Sequence, residues 1–144
     1  MLRHAAAAFA ALALTGAAGA ASAQDATGAA LVDYIFGQLE AEFGISPASR
    51  ATGRLSAGAS TTGTFNVASG AAYIVIGACD EGCSDLDLVV RDASGNEVGS
   101  DYEDDDAPMV VIPAGSGGRY TFEAQMVTCS SNCHFGVRSY NAGN

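Results

Sequence analysis

The sequence predicts an all-β fold, a jelly-roll-like antiparallel β-sandwich of about seven to eight strands, preceded by a signal peptide and one short amphipathic helix. Three observations carry this expectation. Beyond Arg54, short apolar runs alternate with clusters of Gly, Ser, Asn and Asp at regular spacing. Within the runs, apolar and polar residues alternate with period two: Tyr120, Phe122, Ala124 and Met126 on one face, Thr121, Glu123 and Gln125 on the other. Tight-turn residues separate the runs, as in Asp92-Ala93-Ser94-Gly95-Asn96 and Gly115-Ser116-Gly117-Gly118.

Residues 1–23 read as a secretory signal peptide. Arg3 and His4 precede an apolar stretch from Ala5 to Ala21, and Ala21-Ser22-Ala23 is a small-x-small cleavage signature. The apolar stretch is too short to span a bilayer, which disfavours an N-terminal membrane anchor. Cleavage leaves 121 residues, enough for one domain with its own core. That chain holds five Arg and no Lys against sixteen Asp plus Glu, a net charge of −11. Such a surface argues strongly against nucleic acid or anionic membrane as partner. It suits a cation, or simply solubility.

Residues 24–44 form the helical segment. Leu31, Tyr34, Ile35, Leu39 and Phe43 recur at three- and four-residue spacing over 26–43 and predict one apolar stripe. Asp25 or Thr27 can cap its start, and Gly44 can end it. The stripe packs either on the domain's own sheet or against a partner. Residues 45–53 are rich in turn formers and read as a linker, so the β-domain is expected over 54–144. Strands are expected near 63–68, 72–78, 85–91, 96–100, 108–112, 119–128 and 134–140.

Four cysteines in an exported chain predict two disulfides rather than a zinc site. They fall at two hairpin tips, so Cys79–Cys83 and Cys129–Cys133 are the simplest pairs. Cross-linked pairings would need the two tips side by side.

The acidic residues are concentrated. Residues 80–106 carry eleven of the sixteen, with Arg91 the only base among them. In the strand Asp85-Leu86-Asp87-Leu88-Val89-Val90, alternation sends Leu86, Leu88 and Val90 inward. Asp85 and Asp87 then stand together on the outer face, roughly 6–7 Å apart along the strand. The run from Asp101 to Asp106 adds five more carboxylates. Calcium takes six to eight oxygen ligands, and Asp85, Asp87, Asp101, Asp104 and Asp106 are the candidate set. The run is no EF-hand, because the loop positions that would need Gly and Glu hold Asp106 and Ile112. A solvated acidic loop is the competing expectation.

The order of these features resembles the bacterial pre-peptidase C-terminal (PPC-type) domain of secreted proteins. The matching residues are Ser84-Asp85-Leu86-Asp87-Leu88, the turn 92–96, Asp101 with its acidic loop and Pro108, Ile112-Pro113-Ala114, and Gly118-Arg119-Tyr120-Thr121-Phe122. They span about residues 50–140. The resemblance implies a jelly-roll-like sandwich without catalysis of its own, with calcium, protein or polysaccharide as ligand. Its aspartates map onto Asp85 and Asp87. The two Cys-x-x-x-Cys pairs and the lack of an adjoining protease domain depart from the family pattern.

Catalytic constellations are scarce. His134 is the only histidine after the signal segment, no Gly-x-Ser-x-Gly elbow occurs, and the absence of Lys removes Schiff-base and Ser–Lys chemistry. A carboxylate pair could serve a glycosidase, but the chain has no Trp for a sugar platform. The sequence therefore points to a non-enzymatic exported binding module in the periplasm or outside the cell, with a protein or polysaccharide ligand and Ca2+ on its acidic face. The alternative is an accessory envelope protein that docks through the 26–43 helix without metal. A metal-dependent hydrolase is a third reading, and it would need a cleft joining Asp85 and Asp87 to His134.

Overall fold

The computed structural model describes residues 19–143. Most of the expected signal segment lies outside them. Eight strands follow one helix: α1 (Gly19–Phe43), β1 (Ser49–Ser56), β2 (Ser60–Val67), β3 (Ala72–Cys79), β4 (Cys83–Arg91), β5 (Glu97–Asp101), β6 (Met109–Ile112), β7 (Gly118–Cys129) and β8 (Asn132–Gly143). They form two four-stranded antiparallel sheets, ordered β1-β8-β3-β6 and β2-β7-β4-β5. This is the strand order of a jelly roll, in which a long hairpin winds so that consecutive strands alternate between the sheets, save for the β4–β5 hairpin at its tip. The core lies between the sheets. Leu86, Leu88 and Val90 of β4 are fully buried there against Val75, Ala124 and Met126, as period-two alternation requires.

The chain gains a strand where a linker was expected. Residues 49–56 pair with β8 over eight positions, and Ser49, Ala51, Gly53 and Leu55 alternate inward. Small inward residues conceal the strand, since a turn-like composition is what fits there. A Cβ on Gly53 would sit 2.8 Å from the Phe135 ring. The β-domain accordingly starts at Ser49 rather than at residue 54.

The helix differs from expectation at its start and in its facing. It begins at Gly19, so Asp25 and Thr27 lie inside it and do not cap it. Gly44, with φ 63°, ends it as expected. The buried stripe is Val32 and Phe36 with Leu39 beside them, not Leu31, Tyr34, Ile35 and Phe43. These pack on Ile76, Ala78 and Tyr140 on the outer face of the first sheet. Gly136 lets the helix come close, since a Cβ there would be 2.9 Å from both Phe36 and Val32.

A buried arginine decides the rotation. Arg138 of β8 projects from the outer face of the sheet. It donates to Glu40 at 2.7 Å and to Asp33 at 2.8 Å, and its guanidinium lies 4.3 Å over the Phe36 ring. A buried cation is costly unless its charge is met and its donors are used. Only the face bearing Asp33, Phe36 and Glu40 meets that demand. Burial pushes the Glu40 carboxyl up, but hydrogen bonds from Arg138 and Tyr140 outweigh this and hold it below the usual range. Burial and the same carboxylate push the Tyr140 hydroxyl up to about 12.

Two phenylalanines on one helix test this facing. Phe36 is 1% exposed and Phe43 is 66% exposed. Phe36→Ala is expected to cost about 3 kcal/mol in urea unfolding, and Phe43→Ala no more than about 0.5 kcal/mol. Equal costs would contradict the orientation.

Candidate functional site

The β3–β4 and β7–β8 tips, the β1–β2 turn and the β5–β6 loop share one end of the sandwich. That end carries Asp80, Glu81, Asp85, Asp87, Asp101, Glu103, Asp104, Asp105 and Asp106. Arg50, Arg91 and Arg119 stand toward the other end, while Arg54, opposite His134, stands near this one and donates to the Asn132 carbonyl at 3.2 Å. Topology therefore gathers the charge at one pole.

Both disulfides sit at this pole. Cys79 bonds Cys83 and Cys129 bonds Cys133. The two tips do lie side by side: Cys83 faces Cys129 across β4 and β7, and the Ser130 N–H donates to the Gly82 carbonyl at 2.9 Å. Local pairing holds even though the geometry brings all four cysteines to one place. Asp80 joins the tips from within. Its Oδ1 accepts from Gly82 N–H at 3.1 Å, and its Oδ2 accepts from His134 N–H at 2.8 Å.

The β5–β6 loop covers the first residues of β4. β5 stops opposite Leu88, and the loop continues the ladder when Leu86 N–H donates to the Asp105 carbonyl at 2.9 Å. The loop braces itself with its own carboxylates. Asp101 accepts from Glu103 N–H and Met109 N–H at 3.1 and 2.8 Å, and Asp105 accepts from Ala107 N–H at 2.9 Å. Tyr102, Glu103, Asp104 and Asp106 stand exposed.

Asp85 departs from its expected position. Alternation predicted an outward, solvated carboxylate, but the residue is only 7% exposed. The β4–β7 register shifts on both sides of it, and the loop closes over it. Its Oδ1 is buried with no hydrogen-bond partner. Burial pushes its pKa up to about 6, helped by a hydrogen bond with the Asp104 carboxyl and by the charges of Asp104, Asp87 and Asp105. Asp87 is raised by burial, then by Asp101 and Asp104.

Of the predicted ligand set, Asp85, Asp87, Asp101 and Asp104 thus share one electrostatic neighbourhood. Both Asp101 oxygens already serve its turn. Among the described residues no three His, Cys, Asp or Glu side chains converge closely enough to hold a metal as they stand. What the site offers is a desolvated Asp85 beside the exposed Asp104 carboxyl and flanked by Asp87, a hard-oxygen donor set that lacks a positive charge.

His134 does not join this group. It lines a cavity of about 200 Å3 with Ala29, Val32, Asp33 and Arg54, and its Nε2 is buried without a partner. The cleft that a metal-dependent hydrolase would need is therefore not formed among the described residues. A larger cavity, of about 630 Å3, opens between α1 and the two disulfide tips. Sequence reasoning missed it, because it depends on where α1 comes to rest. The only sequence signal for it was the pair of equal Cys spacings.

No protein-family model matches the chain, and no curated protein matches it. Among solved structures it is similar to a periplasmic inhibitor of g-type lysozyme from Aeromonas hydrophila. The identity is 14% and the TM-score 0.45, over 67% of this chain and 87% of that one. A likeness at this level does not extend to what either protein binds. Among the described residues no helix is long and apolar enough to cross a membrane.

Asp85 makes stability depend on pH. Its folded pKa lies above the unfolded value of 3.8, so folding favours the protonated form. That contribution is complete below pH 3.8 and is lost as pH rises through about 6. In chelator, Asp85→Asn should therefore unfold at higher urea than the parent at pH 7.5, by roughly 1–3 kcal/mol. The advantage should shrink toward zero by pH 4. An advantage independent of pH would show that Asp85 is not the titrating group.

Proposed function

We propose that this chain is a non-enzymatic exported binding module whose acidic pole takes Ca2+ at Asp85 and Asp104, with Asp87 beside them. The observation that carries this is the Asp85 Oδ1 atom, buried with no partner next to a second carboxyl. Unpaired buried carboxylates are costly, and a divalent cation meets that cost with the oxygen donors it prefers. Main-chain oxygens and water would complete the shell. Asp101 holds the loop, and Asp106 lies exposed at its end. The cysteine pairs and the Ala21-Ser22-Ala23 signature support export. The PPC-type resemblance agrees with the jelly-roll order and with a ligand-binding role.

Calorimetric titration of the oxidised chain from residue 24 onward tests the metal. Saturable Ca2+ binding is expected, with a melting temperature raised by several degrees over chelator, as mass action requires. Both should vanish in the double variant Asp85→Asn/Asp87→Asn. No heat and no shift at millimolar Ca2+ would refute it.

One observation favours the accessory reading as a second candidate. Tyr34, Ile35 and Phe43 lie exposed on α1, away from its sheet-bound stripe. A protein that docks through this helix would lose its partner on Tyr34→Ser/Phe43→Ser and be indifferent to Ca2+.

A further inference from the structure

We propose that the cavity between α1 and the two disulfide tips is the seat for an arginine or lysine side chain of a cationic protein partner. This rests on the reading of the chain as a binding module, and it names the chemistry of what is bound.

The cavity, of about 630 Å3, is lined by Asp80, Glu81, Ser130, Ser131 and Asn132, with Thr27, Gly28 and Leu31 as its helical wall. Its polar rim is built to hold still. One disulfide closes residues 80–82 and the other closes 130–132. Asp80 is tied to both tips by its two oxygens. A carboxylate fixed in advance loses little freedom when it meets a cation. Glu81 is exposed and can close on what enters. Gly28 lets α1 pack tightly against the tips at the cavity's edge, because a Cβ there would stand 2.5 Å from the His134 ring and 2.9 Å from Asp80 Oδ2.

The donor set narrows the ligand. Two carboxylates reject an anion. Among the described residues no aromatic ring lines the wall, so they offer a sugar no stacking platform. Among the described residues no three metal-ligating side chains converge at the cavity. Carboxylate, hydroxyl and amide oxygens instead suit the several N–H donors of a guanidinium or ammonium group. The surrounding pole makes the partner a protein rather than a small amine. Nine acidic residues share this end of the sandwich, and their field draws in and orients a basic surface. Tyr102 is 62% exposed within that field, an aromatic anchor of the kind that interfaces favour.

Blocked hexa-arginine and hexa-lysine peptides, with hexaglutamine as control, are the probes. Each is titrated by amide NMR into the oxidised chain from residue 24 onward, in chelator at about 0.15 M salt. The expected result is saturable one-to-one binding of the basic peptides, with shifts centred on the amides of 80–82 and 130–134. Glu81→Gln should weaken it about fivefold or more, whereas Glu97→Gln, at the other end, should leave it unchanged. Shifts confined to residues 101–106, an unchanged affinity in Glu81→Gln, or no saturation by millimolar peptide would each overturn the proposal. The chelator keeps the outcome separate from the calcium titration, so either can fail alone.

Discussion

A single desolvated carboxylate sets the character of the acidic pole. Asp85 sits at the head of β4, in the middle of a sheet, where the register slips and the β5–β6 loop folds over it. Water that would solvate an exposed aspartate is excluded. The side chains that act on it electrostatically are other carboxyls, Asp104 first. A carboxylate taken out of water beside a second acid must hold a proton or meet a cation. The loop that creates this problem is itself held by carboxylates, since Asp101 and Asp105 accept main-chain N–H groups within it. Part of the acidic run is thus structural, and part is left with unmet charge.

The rest of the pole is organised to stay rigid around that charge. Short disulfide loops contribute little to global stability by chain entropy, since the constraint grows with loop length. Their effect here is local: they set the shape of two tips that Asp80 and the Ser130–Gly82 bond then join. The helix completes the arrangement from outside. Arg138 fixes its rotation by requiring Asp33, Phe36 and Glu40 on the sheet side. One consequence is that Thr27, Gly28 and Leu31 wall the cavity beside the tips. Another is that Tyr34, Ile35 and Phe43 face solvent.

Much of the fold was legible because alternation is a strong signal where the inward residues are large. Leu86, Leu88 and Val90, or Tyr120, Phe122, Ala124 and Met126, announce their strands and their facing. The local cysteine pairs followed from their spacing. β1 was hidden because its inward residues Ser49, Ala51 and Gly53 are small, and at Gly53 the Phe135 ring already fills the space. The helical stripe was misplaced because hydrophobicity alone chose Tyr34, Ile35 and Phe43. The true facing is set by a polar demand from Arg138, about 100 residues away in sequence. The burial of Asp85 was likewise out of reach. A strand read in isolation has two faces, and only the later loop decides that one of them is dry. The acidic pole as a whole could be seen in the composition of 80–106, but the cavity could not.

Carbon-detected NMR of the Asp85 side-chain carboxyl, titrated with pH in chelator and again in saturating Ca2+, tests the central claim most directly. In chelator the midpoint should lie at about 6. With Ca2+ it should fall well below that value, because the cation favours the charged form. A midpoint near 3.8 in both conditions would show a solvated carboxylate and contradict the account. A midpoint of about 6 that Ca2+ leaves in place would keep the buried Asp85 carboxyl but remove the metal from it.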